Sequence, residues 1–206
     1  MSQIVVLCEG RTERALQPFI KTFLDGQCAA SGKPRMGLNM VDAGGASDLL
    51  SAKSLPKLVA NHLGAADVVG LVVLVDVKAP PPHVFPNAGA AIAYLKTILP
   101  ADPRVHAHAA QHDVEAWLLP FWEVAQKKAG HRKASPGKNP EKVNHDHPPS
   151  WHLQELYRLG GKSYDKPRDA AAILRGQDLR AVANACPQFK AFLNTLLGLS
   201  GCTQIH

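Results

Sequence analysis

The chain has 206 residues, 46% of them hydrophobic, which is enough to bury one sizeable core, or one core with a small helical extension, and too apolar for a disordered chain. Its 23 Lys and Arg against 17 Asp and Glu give a formal charge of +6, a balance that suits a polyanionic partner as well as a merely basic surface. No apolar run approaches the roughly 20 residues of a bilayer span, and the N-terminus enters a strand with no basic leader, so a cytoplasmic chain without membrane contact is expected.

In chain order, Ile4 to Cys8 is a β-branched run of the kind buried on both faces in a parallel sheet. Leu16, Phe19, Ile20, Phe23 and Leu24 follow at helical spacing, with Thr12 placed as a cap and Pro18 predicting a kink or a later start. A weaker strand, Met36 to Val41, leads through Gly44-Gly45 into a helix carrying Leu49, Leu50, Leu55, Leu58, Val59 and Leu63. Val68 to Val75, bounded by Asp67 and Asp76, is the clearest strand. Pro80, Pro81, Pro82 and Pro86 predict a stiff surface loop over the sheet edge.

A helix from about Ala88 to Leu99 and a short strand around Arg104 to Ala109 complete an alternating β/α half, the signature of a parallel sheet. Beyond His112 the pattern turns helical, with Val114, Trp117, Leu118, Phe121, Trp122 and Val124 in one series. Lys127 to Glu141 reads as a mobile basic loop containing Arg132, Lys133 and Lys138, with Lys142 beside it, whose charge suits phosphates. Helices are predicted at Trp151 to Leu159, Arg168 to Leu174 and Pro187 to Leu199. The chain thus divides into an α/β part, residues 1–115, and a helical extension, 116–206, packed on it as one unit.

Two predicted strands end in acids, Glu9 followed by Glu13, and Asp76, at the edge where open α/β sheets place their sites. Hard cations such as Mg²⁺ take carboxylate oxygens, often one or two from the protein, with water and substrate phosphate completing the shell. A blander reading stands beside it, in which Glu13 favours a helix N-terminus and Asp76 caps a turn. The Gln111-to-Trp117 segment adds His112 and Glu115 near the same edge, and Lys166 is placed to neutralise phosphoryl charge or simply to face solvent.

His106, His108, His112, His145, His147 and His152 form two loose groups whose spacing does not specify zinc. Cys8, Cys28, Cys186 and Cys202 lack any C-x-x-C pairing and read as reduced, mostly buried thiols. H-E-x-x-H and the P-loop signature are both missing from the sequence, which removes the zincins and P-loop nucleotide hydrolases.

The stretch Val6-Leu7-Cys8-Glu9-Gly10-Arg11-Thr12-Glu13 resembles the E-G-x-T-E opening of a Toprim-like prokaryotic family of unknown function. The likeness continues through Asp76, His112 to Leu119, Pro140 to Asn144, Pro149-Ser150, Tyr164-Asp165-Lys166 and Cys186 to Phe189, nearly the whole chain in order. It implies a Toprim-like, Rossmann-like parallel sheet flanked by helices with a helical C-terminal extension, related to the overcoming-lysogenization-defect type nucleases. Relatives often stand beside ATPases in antiviral defence, so an ATPase partner belongs to what the resemblance implies.

Carried over to this chain, Glu9 and Asp76 would be metal ligands for Mg²⁺ or Mn²⁺, with Glu13, Glu115 and Lys166 catalytic. Lys78 departs from the pattern, standing where many Toprim enzymes have the second acid of D-x-D. It puts a two-metal site in doubt and would serve as a phosphate contact, with Arg132, Lys133, Lys138 and Lys142. The expected activity is a metal-dependent nuclease or related phosphoryl transfer on DNA or RNA. The alternative is a noncatalytic Toprim-like module that binds nucleic acid or an ATPase partner.

Overall fold

The computed structural model describes residues 2–78, 85–143 and 146–206. Among these, four parallel strands, β1 (Gln3–Cys8), β2 (Gly37–Asp42), β3 (Val68–Asp76) and β4 (Val105–Ala110), lie in the order β2-β1-β3-β4. Val6 sits opposite Met40 on one side and Val72 on the other, and Leu74 pairs with His108. β1 and β3 occupy the centre, which is why their side chains are apolar on both faces. The expected α/β class and Toprim-like parallel sheet are those of the structure.

Helix α1 (Arg11–Ala30) covers one face, where Leu16, Ile20 and Leu24 meet Ile4, Val6, Cys8, Val72 and Leu74. The other face, Val5, Leu7, Leu71, Val73 and Val75, is covered by α2 (Ala46–Leu49), α3 (Leu55–Leu63) and α4 (Ala88–Ile98). The connection after β1 therefore runs over one face to β2, and the connections after β2 and β3 run over the other. The carboxyl ends of β1 and β3 flank the point where the winding reverses, the usual crevice for ligands in such sheets. At the β2 edge, the Gln17 side chain accepts from Met40 N–H at 3.0 Å and donates to Leu38 C=O at 3.1 Å, covering backbone groups that an open edge would expose.

The second half adds a 3₁₀ segment, Val114–Phe121, and then α5 (Trp122–Ala129), α6 (Pro149–Leu159), α7 (Lys166–Leu174), α8 (Leu179–Ala185) and α9 (Pro187–Leu199). These helices share the α1 face and its core, with Trp117 packed 4.7 Å from Phe189 and 5.7 Å from Phe192 between ring centroids. Gly70 on β3 admits α9 closely, since a Cβ there would lie 2.6 Å from Leu199 Cδ2. Gly160, just past α6, passes the end of α5 so closely that a Cβ would stand 2.0 Å from Ala129 C=O oxygen.

Several local expectations are corrected. Helix α1 begins at Arg11 and contains Pro18, and its N-cap is Gly10 rather than Thr12, which is buried in the first turn. The proline removes only one donor from a helix whose apolar stripe is well buried, so packing outweighs it. The helix predicted across Leu49 to Leu63 is two, because residues 50–54 leave the helical path and Pro56 restarts it in the first turn of α3. The series from Val114 begins as 3₁₀ and becomes α only at Trp122, with Pro120 inside the 3₁₀ part. Lys127 and Lys128 belong to α5, which ends at Gly130 in the left-handed conformation, so the basic loop is shorter than expected. Helix α8 was not expected at all.

The loop predicted from the prolines lies, for residues 79–84, outside the described residues, as does His145. No helix among the described residues is long and apolar enough to cross a membrane. The four cysteines are free and buried.

Candidate metal and phosphate site

The carboxyl edge of the sheet gathers acids from four elements. Glu9 follows β1 and Asp76 ends β3, and the two central strands are tied there by Asp76 N–H donating to Glu9 Oε1 at 2.7 Å. Glu13 enters from the first turn of α1 and is buried. Beyond β4, Val77 N–H donates to Ala110 C=O at 3.0 Å and Lys78 N–H to His112 C=O at 2.8 Å, prolonging the strand contact past the sheet. His112 then adopts φ +69°, a left-handed turn rare outside glycine, which redirects the chain so that Asp113 and Glu115 enter the same edge.

Helix α7 closes the site. Its first residue, Lys166, places Nζ 3.1 Å from Glu115 Oε1, with the Glu115 side chain only 1% exposed and that of Lys166 43%. Asp165 caps the helix by accepting from Arg168 N–H, which fixes the turn that presents Lys166. From α6, Ser150 N–H donates to Asp113 Oδ2 at 3.1 Å.

So many buried acids resist ionisation together. Burial, then Asp113, raises Glu115 to about 7 despite Lys166. Glu9 is also raised to about 7, by burial and by Glu13, against the Asp76 N–H bond that favours its charge. Burial raises Glu13 and Asp113 too. Asp76 is raised well above the carboxylate range, first by burial and then by Glu13, Glu9, Asp113 and Glu115. Burial pulls the Lys166 ammonium down, but Glu115, Asp113 and Asp76 outweigh it and hold it charged.

Asp76 Oδ1, Asp113 Oδ1 and Glu115 Oε2 are buried with no hydrogen-bond partner among the described residues. Buried polar atoms are almost always satisfied, so these oxygens have the character of ligands for a group the chain itself does not supply. Hard oxygens from several acids, each disfavoured as an anion in isolation, fit a hard divalent cation such as Mg²⁺ or Mn²⁺. Among the described residues no three His, Cys, Asp or Glu side chains form a ready-made coordination shell, which leaves such a cation to rely on water and phosphate for part of it.

The family profile described as "Domain of unknown function (DUF4276)" matches residues 8–197. The chain belongs to the DUF4276 family. No curated protein matches its sequence significantly. Among solved structures, this DUF4276 chain resembles the C-terminal region of the Burkholderia pseudomallei OLD protein, with a TM-score of 0.53, 14% identity and 97% of each chain covered. The C-terminal region of the Xanthomonas campestris pv. campestris OLD protein aligns with a TM-score of 0.49 and 16% identity, over 97% of this chain and 92% of that one. At such identities the first likeness shows a shared fold, in keeping with the Toprim-like resemblance read from the sequence.

Of the residues singled out from the DUF4276 sequence, the fold brings Glu9, Glu13, Asp76, Glu115 and Lys166 to one edge. Lys78 stands next to it, close enough for its charge to act on Asp113. Lys133 lies over the Trp151 ring, 4.8 Å from its centroid. Arg132 lines a cleft with Glu123 and Gln126, and Lys138 lines another with Pro140 and Gln177. Lys142 is exposed at the end of a short 3₁₀ turn, Pro140–Lys142.

Sequence reasoning did not single out Asp113, Ser150 or Tyr164. All three lie inside segments that carry the family likeness, and Asp113 and Tyr164 each stand two residues before a chosen residue, which is the signal that could have found them. The Tyr164 hydroxyl is buried without a partner among the described residues, and burial and Glu115 raise it well above its ordinary range. Apart from His112, whose backbone turns at this edge, the described histidines His108, His147 and His152 fall elsewhere. His108 Nε2 lies 2.9 Å from Thr195 Oγ1 with its ring against Phe192, and His147 and His152 pack around Trp151.

Proposed function

We propose that this protein is a Mg²⁺- or Mn²⁺-dependent phosphodiesterase acting on nucleic acid. The observation that carries the reading is the set of buried carboxylate oxygens without hydrogen-bond partners among the described residues, from Asp76 at the end of β3 and from Asp113 and Glu115 beyond β4, with one lysine of α7 among them. Glu9 and Asp76 would hold the cation. When bound, the metal would polarise a phosphoryl oxygen and make water a stronger nucleophile.

The remaining work falls to the chain's own groups. Glu115 and Glu13 lie where a carboxylate can orient the attacking water and take its proton, and a value near 7 suits Glu115 to that exchange. Lys166 Nζ, turning from Glu115 toward a phosphate, would offset negative charge as the water oxygen bonds to phosphorus and the ester oxygen leaves. Lys78, at the rim, would contact a neighbouring phosphate.

The test is cleavage of labelled plasmid DNA, single-stranded DNA and transfer RNA with Mg²⁺ or Mn²⁺, by the native chain and by folded Glu9→Ala and Asp76→Ala. Cleavage lost in both variants is expected, by about a hundredfold or more if each supports the metal. Undiminished cleavage in both removes the site from the reaction. Lys78 in place of a second acid favours one other reading, a module that binds nucleic acid or an ATPase partner without cutting. Binding that survives EDTA, with no cleavage under either metal, would be its signature.

A further inference from the structure

Helix α6 carries Trp151, Glu155, Arg158 and, one turn past its end, Lys162 at spacings of four, three and four residues, a single stripe along the surface. Trp151 and Leu159 are the large apolar side chains left exposed among the described residues, and Trp151 shows 38% of its surface. Two clefts open along this stripe. One, of about 490 Å³, lies among Trp151, Glu155, Arg158, Lys162, Ser163 and Tyr164. The next, of about 540 Å³, lies among Lys128, Tyr157, Lys162, Ser163, Arg168 and Asp169, so Lys162 and Ser163 form their common wall.

Each cleft is walled by a tyrosine whose hydroxyl is buried and lacks a partner among the described residues, Tyr164 in the first and Tyr157 in the second. A buried donor with no acceptor is costly to the fold, and here it borders a cationic hollow. The cations are held at the surface but remain exchangeable. Arg158 pairs with Glu155, Arg168 with Asp169, and Lys162 Nζ donates to Lys128 C=O. The first cleft also adjoins the carboxylates, since Trp151 follows Ser150, whose N–H binds Asp113, and Tyr164 precedes the loop to Lys166.

We propose that this face of α6 and α7 is a track for single-stranded nucleic acid, with an unpaired base stacked on Trp151 and successive phosphates in the two clefts. The proposal rests on the phosphodiesterase reading of the adjoining acids and says which form of nucleic acid reaches them. Phosphate oxygens would accept from Arg158, Lys162, Lys128 and Arg168. Lys133 and the His147 ring, now against the indole at 4.8 and 4.3 Å from its centroid, would yield a ring face to a base, with Lys133 turning to its phosphate. A duplex keeps its bases stacked on one another and offers no free face to an indole, so the track selects unpaired strands.

Fluorescence anisotropy in EDTA, with labelled oligothymidylate, oligouridylate and a DNA duplex, tests the track without turnover. Single strands should bind more tightly than duplex and quench tryptophan emission, because Trp117 and Trp122 are buried and only Trp151 is accessible. Trp151→Ala should weaken single-strand binding about tenfold and leave duplex binding unchanged, with Trp151→Phe restoring most of the loss. Lys128→Glu should lower affinity and reduce the salt slope by about one.

Tighter binding of both oligonucleotides than of the duplex, lost in Trp151→Ala, supports the proposal. Equal binding of single strand and duplex, or a Trp151→Ala variant that binds as the native chain does, overturns it. The outcome is separable from that of the cleavage test. Cleavage lost in Glu9→Ala and Asp76→Ala with binding indifferent to Trp151 leaves the enzyme standing and removes the track, whereas Trp151-dependent binding without cleavage does the reverse.

Discussion

Glu115→Gln should make the metal-free protein more stable at pH 8 and leave it little changed at pH 4.5. The Glu115 carboxyl is 1% exposed, Asp113 lies near it as a like charge, Tyr164 adds an unpartnered hydroxyl, and Lys166 is the cation paired with it. Its pKa rises from the ordinary 4.5 to about 7 on folding. The folded state therefore holds a proton that the unfolded state has released between these values, and stability falls as pH rises through that window. A shift of this size corresponds to about 3 kcal/mol lost by pH 8, at about 1.4 kcal/mol per unit.

The amide carries no such dependence. Removal of one negative charge also eases Asp76 and Asp113, and Lys166, partly exposed, can be rehydrated. In EDTA, urea unfolding of both proteins should agree near pH 4.5 and diverge by up to about 3 kcal/mol at pH 8, or about 8 °C in Tm for a chain of this size. A difference that is the same at both pH values, or a variant less stable at pH 8, would refute the account of these acids as mutually repelling and uncompensated.

Two further outcomes follow from the same geometry. Mg²⁺ or Mn²⁺ at a hundredfold excess over its Kd should raise the native chain's stability by about 2.7 kcal/mol at pH 8, and by much less in Asp76→Asn; calorimetry with and without EDTA reads this, and an unshifted Tm in the native chain argues against a cation at this edge. Gly160→Ala should cost about 3 kcal/mol, because its Cβ meets the Ala129 carbonyl rather than a flexible side-chain tip, and urea unfolding of a fully folded, equally stable variant would contradict the close passage of α5 and α6.

The fold was legible where one physical signal dominated. Val68 to Asp76 reads as a strand because β-branched residues run unbroken between two acids, and α9 because Pro187 opens an apolar series that ends near Gly198. Helix α1 shows the limit, since Pro18 is a strong local signal that burial of Leu16, Ile20 and Leu24 overrides. Helix α8 is short and was masked by its neighbours' loops. At the site, the acids after β1 and β3 could be chosen because strand ends are visible in sequence. Asp113 depends on the left-handed turn at His112, and a non-glycine residue in that conformation leaves no compositional trace. The cationic clefts arise where α6 and the turn after it meet residues of α5 and α7, a juxtaposition that periodicity along one chain cannot express.

The tie from Asp76 N–H to Glu9 Oε1 also bears on when this edge comes into being. It joins residues far apart in the sequence, and the other members, Asp113, Glu115 and Lys166, come from still later in the chain. Local helices can form early, but the acids meet only after the non-local parallel pairing of β1 with β3 and β3 with β4 is complete and α7 has docked. The proposed cleavage would thus report finished assembly: during refolding it should appear after helical ellipticity has recovered, and a fragment ending before α7 would lack Lys166 altogether.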